Sequence, residues 1–147
     1  MHQTTAGTQR EDRENTMYKI IASDLDETLL NRETRLVGDR NLEAIRRASE
    51  MGDTFVSYSS NRYLEFNQQG VNKGQGLLSL AEILGVDPKD TIAIGDNDND
   101  LTMIQAAGLG CCVSNATEAV KKNSDYIAEA DCDEGGVAEI IEKFVLQ

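Results

Sequence analysis

Two short apolar segments that end abruptly in acids constrain the fold of this sequence most. Residues 18–23 (YKIIAS) run into the acidic segment 24–28 (DLDET), and residues 91–94 (TIAI) run into the acidic segment 95–100 (GDNDND). Short apolar runs of this kind are typical of strands that are buried on both faces of a parallel sheet. The acids would then lie at the carboxyl edge of that sheet, where α/β folds place their sites.

The rest of the chain alternates between strand and helix patterns. Further strands are predicted at residues 54–58, 110–113 and 126–128, and helices at residues 39–51, 77–84, 101–105, from Asn115 onward and 137–145. This alternation predicts an α/β fold, a doubly wound and mainly parallel sheet with helices on both faces. We expect one domain over residues 17–147 after a polar, disordered tail at residues 1–16.

Composition excludes several classes of function. The net charge of −12 argues against binding to nucleic acid or to an anionic membrane, and no apolar run is long enough to cross a bilayer. The single histidine, His2, lies in the tail, which argues against histidine-based catalysis. Three cysteines without a framework spacing indicate a reducing compartment, so we expect a cytoplasmic protein.

The first acidic segment offers a pair of carboxylates. Asp24 and Asp26 are two residues apart, and side chains two apart on a strand share a face. A carboxylate beside a hard cation and a protonatable neighbour suits a nucleophile with a general acid/base. Alone, such a pair is more often a loop cap, and that alternative stays open at this point.

The second acidic segment offers ligands for a metal. Gly95 permits a sharp turn after the strand, and Asp96 and Asp100 carry the hard oxygen ligands that Mg²⁺ prefers. Helix capping by Asn99 or Asp100 is an alternative that is compatible with metal binding. An EF-hand is excluded, because the downstream glutamate is missing and a strand comes first.

Two further residues are weak signals when they are taken singly. Lys73 lies in a predicted glycine-flanked turn, where its charge can meet a phosphoryl oxygen. Ser59 ends the second predicted strand, where its hydroxyl can donate to the same group.

In chain order the sequence has DxDxT after a strand, a hydroxyl after the next strand, a lysine, and GDxxxD after a further strand. This combination resembles the haloacid dehalogenase superfamily of phosphohydrolases, and within it the Cof-type branch. The resemblance covers residues 17–147 and is carried by the segments SDLDETLLN, GVNKG, IAIGDNDNDLTMI, SNATEAVKKNSDYI and DEGGVAEII.

The resemblance implies a magnesium-dependent phosphatase that acts on small phosphorylated substrates such as sugar phosphates. Asp24 would attack phosphorus and become an aspartyl phosphate, and Asp26 would protonate the leaving oxygen and later activate water. The Asp24 carboxylate, the Asp26 backbone carbonyl and Asp96 would hold Mg²⁺, with Asp100 beside them.

The same resemblance assigns roles to the surrounding polar residues. Thr28 and Asn99, together with Asp100, would orient the ligands, and Thr28 and Asn99 would also help to bind the phosphate. Lys73 and Ser59 would stabilise the transferring phosphoryl group, as phosphoryl transfer requires mainly positioning and charge neutralisation.

The sequence departs from the family pattern in three places. Glu27 stands where many members have glycine, and the second motif, which usually ends in Thr-Gly-Arg, has Ser59 only as a positional substitute for the threonine. Residues 60–72 alone separate Ser59 from Lys73, whereas the cap domain that Cof-type members insert there needs about 100 residues. A missing cap predicts an open site, with weak and broad activity, a bulky substrate, or a homo-oligomer that covers the site.

Two other functions remain as alternatives. A phospho-accepting receiver domain also uses an acid cluster and a lysine, but it places its accepting aspartate after the third strand, which disfavours it here. A magnesium-binding remnant that lost turnover with its cap is not excluded by the sequence, because every motif except the second is present.

Overall fold

A five-stranded, fully parallel sheet forms the centre of the molecule. The computed structural model describes residues 18–52, 55–59 and 72–147, with the backbone alone for 55–59. Its strands are β1 (Ile20–Asp24), β2 (Phe55–Ser59), β3 (Thr91–Gly95), β4 (Leu109–Cys112) and β5 (Tyr126–Ile127), in the order β2-β1-β3-β4-β5. The predicted α/β fold with a parallel sheet is confirmed. The predicted tail, residues 1–16, lies outside the described residues.

Helices cover both faces of the sheet. They are α1 (Asp39–Glu50), α2 (Lys73–Leu84), α3 (Leu101–Ala106), α4 (Glu118–Asn123) and α5 (Gly136–Phe144). One core lies between the sheet and the helices α1 and α5, and a second core lies between the sheet and α2, α3 and α4. Within the described parts of the chain, no helix combines the length and the apolar character needed to cross a bilayer.

Alternation along the strands explains the continuous apolar runs in the sequence. In β1, Ile21 faces the first core, while Ile20 and Ala22 face the second. Cys111 and Cys112 divide between the two cores in the same way, and both are buried free thiols. Because β1, β3 and β4 are buried at every position, almost all of their residues must be apolar.

The buried face of α1 differs from the predicted one. Leu42 was expected on the apolar side, but it is 56% exposed, and Asn41 is buried in its place beside Ala44. The Asn41 amide donates to the Leu29 carbonyl oxygen at 3.2 Å, and its oxygen accepts from the Ala138 amide at 2.9 Å. A polar residue can be buried at this position because both ends of its side chain are satisfied.

Two predicted helix starts were also wrong. Helix α2 begins at Lys73, not at residue 77, because Asn72 caps it by accepting from the Gln75 amide at 2.8 Å. Lys73 therefore lies in the first turn of a helix and not in a glycine-flanked turn. Helix α4 begins after Thr117, whose side chain accepts from the Val120 amide, and not at Asn115.

Strand order brings the two acidic segments together. The chain passes from β1 to β2 on one side of β1 and then returns to β3 on the other side. The carboxyl ends of β1 and β3 thus flank the point at which the strand order reverses, the usual location of a site in such sheets. Asp24 ends β1 and Gly95 ends β3, so both acidic segments begin here.

Candidate active site

Three buried carboxylates and one buried ammonium group meet at the carboxyl edge of the sheet. Oxygens of Asp24, Asp96 and Asp100 all lie within 4.8 Å of one another, and the three residues are 4%, 7% and 0% exposed. Lys73 Nζ donates to Asp24 Oδ1 at 2.5 Å and to Asp100 Oδ1 at 2.6 Å. Among the described residues, one positive charge therefore contacts this group of three buried acids.

The loop after β3 is built around the Asp100 side chain. Asp100 Oδ2 accepts from the amides of Asp96 at 2.9 Å and Asn97 at 3.1 Å, while Oδ1 faces Lys73. A Cβ at Gly95 would lie 2.4 Å from the Cβ of Asp100, so glycine is needed for this close approach. Asp100 caps the loop with one oxygen and contacts the site with the other.

A tight turn after β1 brings Thr28 into contact with the Asp24 and Asp96 carboxylates. The turn spans Leu25–Leu29 and is closed by the Leu30 amide, which donates to the Leu25 carbonyl at 2.9 Å. Thr28 Oγ1 lies 2.8 Å from Asp96 Oδ1 and 3.4 Å from Asp24 Oδ2, so its hydroxyl can orient both acids. Asn115 fixes the turn from outside by donating to the Glu27 carbonyl at 2.8 Å.

Burial and mutual repulsion shift the acid–base equilibria of this cluster. Burial, a hydrogen bond with Asp24 and repulsion from the neighbouring carboxylates raise the pKa of Asp96 to about 8. Burial and repulsion from Asp100 also raise the pKa of Asp24, although Lys73 opposes this rise. Burial alone would lower the pKa of Lys73, but Asp100 and Asp24 together raise it, so Lys73 stays charged.

The donor set fits a hard divalent cation. Three carboxylates supply the oxygen ligands that Mg²⁺ prefers, and within the described ranges the Lys73 ammonium group compensates only part of their charge. Burial and the neighbouring carboxylates favour the protonated form of Asp96, and a bound cation would favour its ionised form instead.

Asp26 does not join the buried cluster. Strand β1 ends at Asp24, so the alternation that was expected to bring the two side chains to one face does not extend to Asp26. Its side chain is 33% exposed, and Oδ1 accepts from Arg35 at 2.5 Å. No sequence signal pointed to Arg35.

The two remaining predicted residues lie at the edge of the site. Ser59 ends β2, and its Cα pairs with that of Asp24 in the sheet register. Asn99 lies in the turn between Asp96 and Asp100, and it is exposed, unlike the two acids.

Solved structures share this fold. A phosphatase of the haloalkanoate (HAD) enzyme superfamily from Bacteroides thetaiotaomicron matches 90% of this chain and 97% of its own, with a TM-score of 0.80 and 15% identity. The 3-deoxy-D-manno-octulosonate 8-phosphate phosphatase of Moraxella catarrhalis, solved with magnesium and phosphate ions, matches 88% of this chain and 86% of its own, with a TM-score of 0.72 and 23% identity.

Sequence comparison identifies the family. A phosphoglycolate phosphatase of Methanosarcina acetivorans is 38% identical over 117 residues, which are 79% of this chain and 52% of that protein. This chain thus spans about half the length of that relative. The model of the haloacid dehalogenase-like hydrolases matches residues 52–141, which include Lys73, Asp96 and Asp100. Since this match covers more than half of the chain, the protein belongs to the haloacid dehalogenase-like hydrolases.

Proposed function

We propose that this chain is a magnesium-dependent phosphatase that hydrolyses small phosphomonoesters through a phosphorylated Asp24. The observation that carries the proposal is the buried cluster of Asp24, Asp96, Asp100 and Lys73 at the carboxyl edge of the sheet. A structural role alone would not require three acids to be buried against one cation, because uncompensated buried charge is costly.

Asp24 supplies the nucleophile. One of its carboxylate oxygens attacks phosphorus, the bond from phosphorus to the ester oxygen breaks, and an aspartyl phosphate forms. Lys73 lies 2.5 Å from Asp24 Oδ1, where its charge offsets the repulsion between this carboxylate and an approaching phosphate. The Thr28 hydroxyl donates to Asp24 Oδ2 at 3.4 Å and limits rotation of the Asp24 carboxylate.

Asp26 supplies the proton that the leaving group needs. Its carboxyl gives a proton to the ester oxygen as that oxygen leaves, and the resulting carboxylate then takes a proton from the water that attacks the aspartyl phosphate. The Asp26 side chain is 33% exposed, so it can exchange protons with solvent.

Asp24, Asp96 and Asp100 are the carboxylates that would hold Mg²⁺, and the Asp26 backbone carbonyl would add a neutral ligand. The bound ion would neutralise charge on the phosphoryl oxygens. Ser59 and Asn99, at the rim, would donate hydrogen bonds to the phosphate.

Substrates are proposed to be small phosphorylated metabolites, such as sugar phosphates. The phosphoglycolate phosphatase relative adds a phosphorylated organic acid as a candidate for the substrate panel.

We further propose a reducing compartment such as the cytoplasm, because Cys111, Cys112 and Cys132 are buried free thiols. A homo-oligomer that covers the site remains a prediction, which sedimentation of the purified chain would test.

Hydrolysis of p-nitrophenyl phosphate with and without Mg²⁺ tests the proposal. Wild-type protein should turn over only with the metal, and Asp24→Asn should abolish turnover because the amide is a poor nucleophile. Asp39→Asn is the matched control, since Asp39 is an exposed acid in the first turn of α1. Magnesium binding without turnover above the Asp24→Asn background would favour the non-catalytic remnant instead.

A further inference from the structure

A short hairpin lies beside the candidate active site. Residues 30–37, here called the flap, are joined at their base by an antiparallel bridge between Leu30 and Val37. The Asn31 side chain accepts from the Glu33 and Thr34 amides at 2.9 Å and shapes the tip. The flap is therefore an ordered turn and not an extended connection.

Two arginines tie the flap to its surroundings in different places. Arg32 donates to Asp133 Oδ2 at 2.7 Å and to Asp131 Oδ2 at 2.9 Å, which anchors the flap to the loop before α5. Arg35 adopts a left-handed backbone conformation with φ 60°, and its guanidinium reaches back to Asp26 Oδ1 at 2.5 Å. The second contact falls on the carboxylate that the proposed reaction uses as its acid and base.

We propose that Arg35 is a positioning residue, which holds the Asp26 carboxylate in the orientation that serves the leaving oxygen. This inference rests on the proposed phosphatase function. Arg35 acts through Asp26 and need not touch the substrate itself. Asp26 requires such a partner, because its side chain lies outside the buried cluster that fixes the other acids.

The anchored flap makes this role physically reasonable. A solvent-exposed carboxylate rotates among several rotamers, so a general acid in that state spends only part of its time facing the leaving group. An arginine whose backbone is fixed by a closed turn can restrict that rotation at a small entropic cost. The contact is half-exposed, with side chains 49% and 33% accessible, so a modest effect is expected.

Leaving-group dependence separates positioning from a general loss of stability. A poor leaving group such as the alkoxide of glycerol phosphate needs its proton, whereas p-nitrophenolate departs with little help. Arg35→Met should lower kcat/KM for glycerol phosphate by about five-fold, the upper end for an exposed ion pair, and should change that for p-nitrophenyl phosphate by less than about two-fold. Arg35→Lys should recover part of the loss, because it keeps the charge.

A double-mutant cycle completes the test. In an Asp26→Asn background, Arg35→Met should cause no further loss on glycerol phosphate, since its partner is already gone. Arg46→Met is the matched control, because Arg46 forms exposed ion pairs with Glu43 and Glu50 on α1, and it should leave both substrates unaffected.

Three results would overturn the role of Arg35. These are an equal loss on both substrates, a gain on glycerol phosphate, and an undiminished loss in the Asp26→Asn background. Each of them leaves the phosphatase proposal standing, because the wild-type protein is active in all three. Inactivity of the wild-type protein on both substrates with Mg²⁺ would instead overturn the proposed function and the role of Arg35 together.

Discussion

Magnesium binding should release a proton from this protein. Without a metal, burial and the hydrogen bond with Asp24 raise the pKa of Asp96 to about 8, so the Asp96 carboxyl is mainly protonated at pH 7. A carboxylate ligand must lose that proton before it binds a cation. In the proposed site, metal and proton should therefore compete for Asp96.

The size of the effect follows from the pKa. One pH unit below a pKa of about 8, roughly nine tenths of the Asp96 groups carry a proton, so binding at pH 7 should release about 0.9 proton per ion. The apparent dissociation constant should fall about ten-fold from pH 6 to pH 7 and level off above about pH 9.

Isothermal titration calorimetry in two buffers of different ionisation enthalpy measures the proton count directly. Asp96→Asn should abolish the release and weaken binding, since it removes both the titrating group and a ligand. Asp98→Asn is the matched control, because Asp98 is an exposed acid in the same turn. Release of less than about 0.2 proton at pH 7 would refute the reasoning, because it would mean that Asp96 is already ionised without the metal.

The same linkage predicts how stability depends on pH. A carboxyl whose pKa is raised in the folded state binds more protons there than in the unfolded chain, where its pKa is near 3.8. Asp96 therefore contributes stability at low pH that is lost as the pH rises from about 4 to about 8. Thermal melting of metal-free protein should show this loss, and Mg²⁺ should offset it most at the upper end of the range.

Three further changes probe the cluster and its supports. Lys73→Met leaves three buried acids without a cation and should cost about 3–5 kcal/mol of unfolding free energy in urea at pH 8, with a smaller cost at pH 5, where the acids take up protons. Gly95→Ala places a Cβ 2.4 Å from that of Asp100, so it should cost about 1–3 kcal/mol and weaken Mg²⁺ binding in the calorimeter. Glu27→Gly relieves a left-handed residue at φ 58° and should stabilise the chain by about 0.5 kcal/mol in the same urea assay, since glycine's greater entropy in the unfolded state offsets part of the relief.

The sequence predicted those parts of the molecule that are governed by burial and strand order. Continuous apolar runs located β1 and β3, because a strand covered on both faces has few positions for polar residues. The acids that follow these strands were expected to meet, because parallel strands end at one edge. The structure places Asp24, Asp96 and Asp100 within one cluster, and the predicted site residue Lys73 reaches it from the first turn of α2.

Other features depend on partners far away in the chain and were not predictable from local patterns. Helix α1 buries Asn41 and exposes Leu42, because a carbonyl on one side and an amide 97 residues away satisfy the asparagine. Helix α2 begins at Lys73 because Asn72 caps it. This start was not predicted, because Gly74 and Gly76 in the first turns are unfavourable in helices. Arg35 reaches Asp26 through the conformation of a turn, which leaves no periodic signal.

Glu27 departs from the family pattern at a position where the backbone is left-handed. Many family members have glycine at this position, and the structure gives Glu27 a left-handed backbone that favours glycine. The strain is tolerated because the Leu30 amide closes the turn by donating to the Leu25 carbonyl, and Asn115 holds its centre by donating to the Glu27 carbonyl. A strained residue persists only where its surroundings determine its conformation.

The proposed nucleophile Asp24 and the proposed acid Asp26 are held by different contacts, and this difference should affect which esters react fastest. Asp24 and its partners are fixed by the sheet, by Lys73 and by backbone amides, so the attacking carboxylate should depend little on the substrate. Within the described part of the chain, Asp26 is held by one half-exposed contact, from Arg35 of the flap, so its orientation is less firmly fixed than that of Asp24. Esters with good leaving groups should therefore be hydrolysed faster than alkyl phosphates. Covering Asp26 from solvent during turnover should reduce this difference in rate.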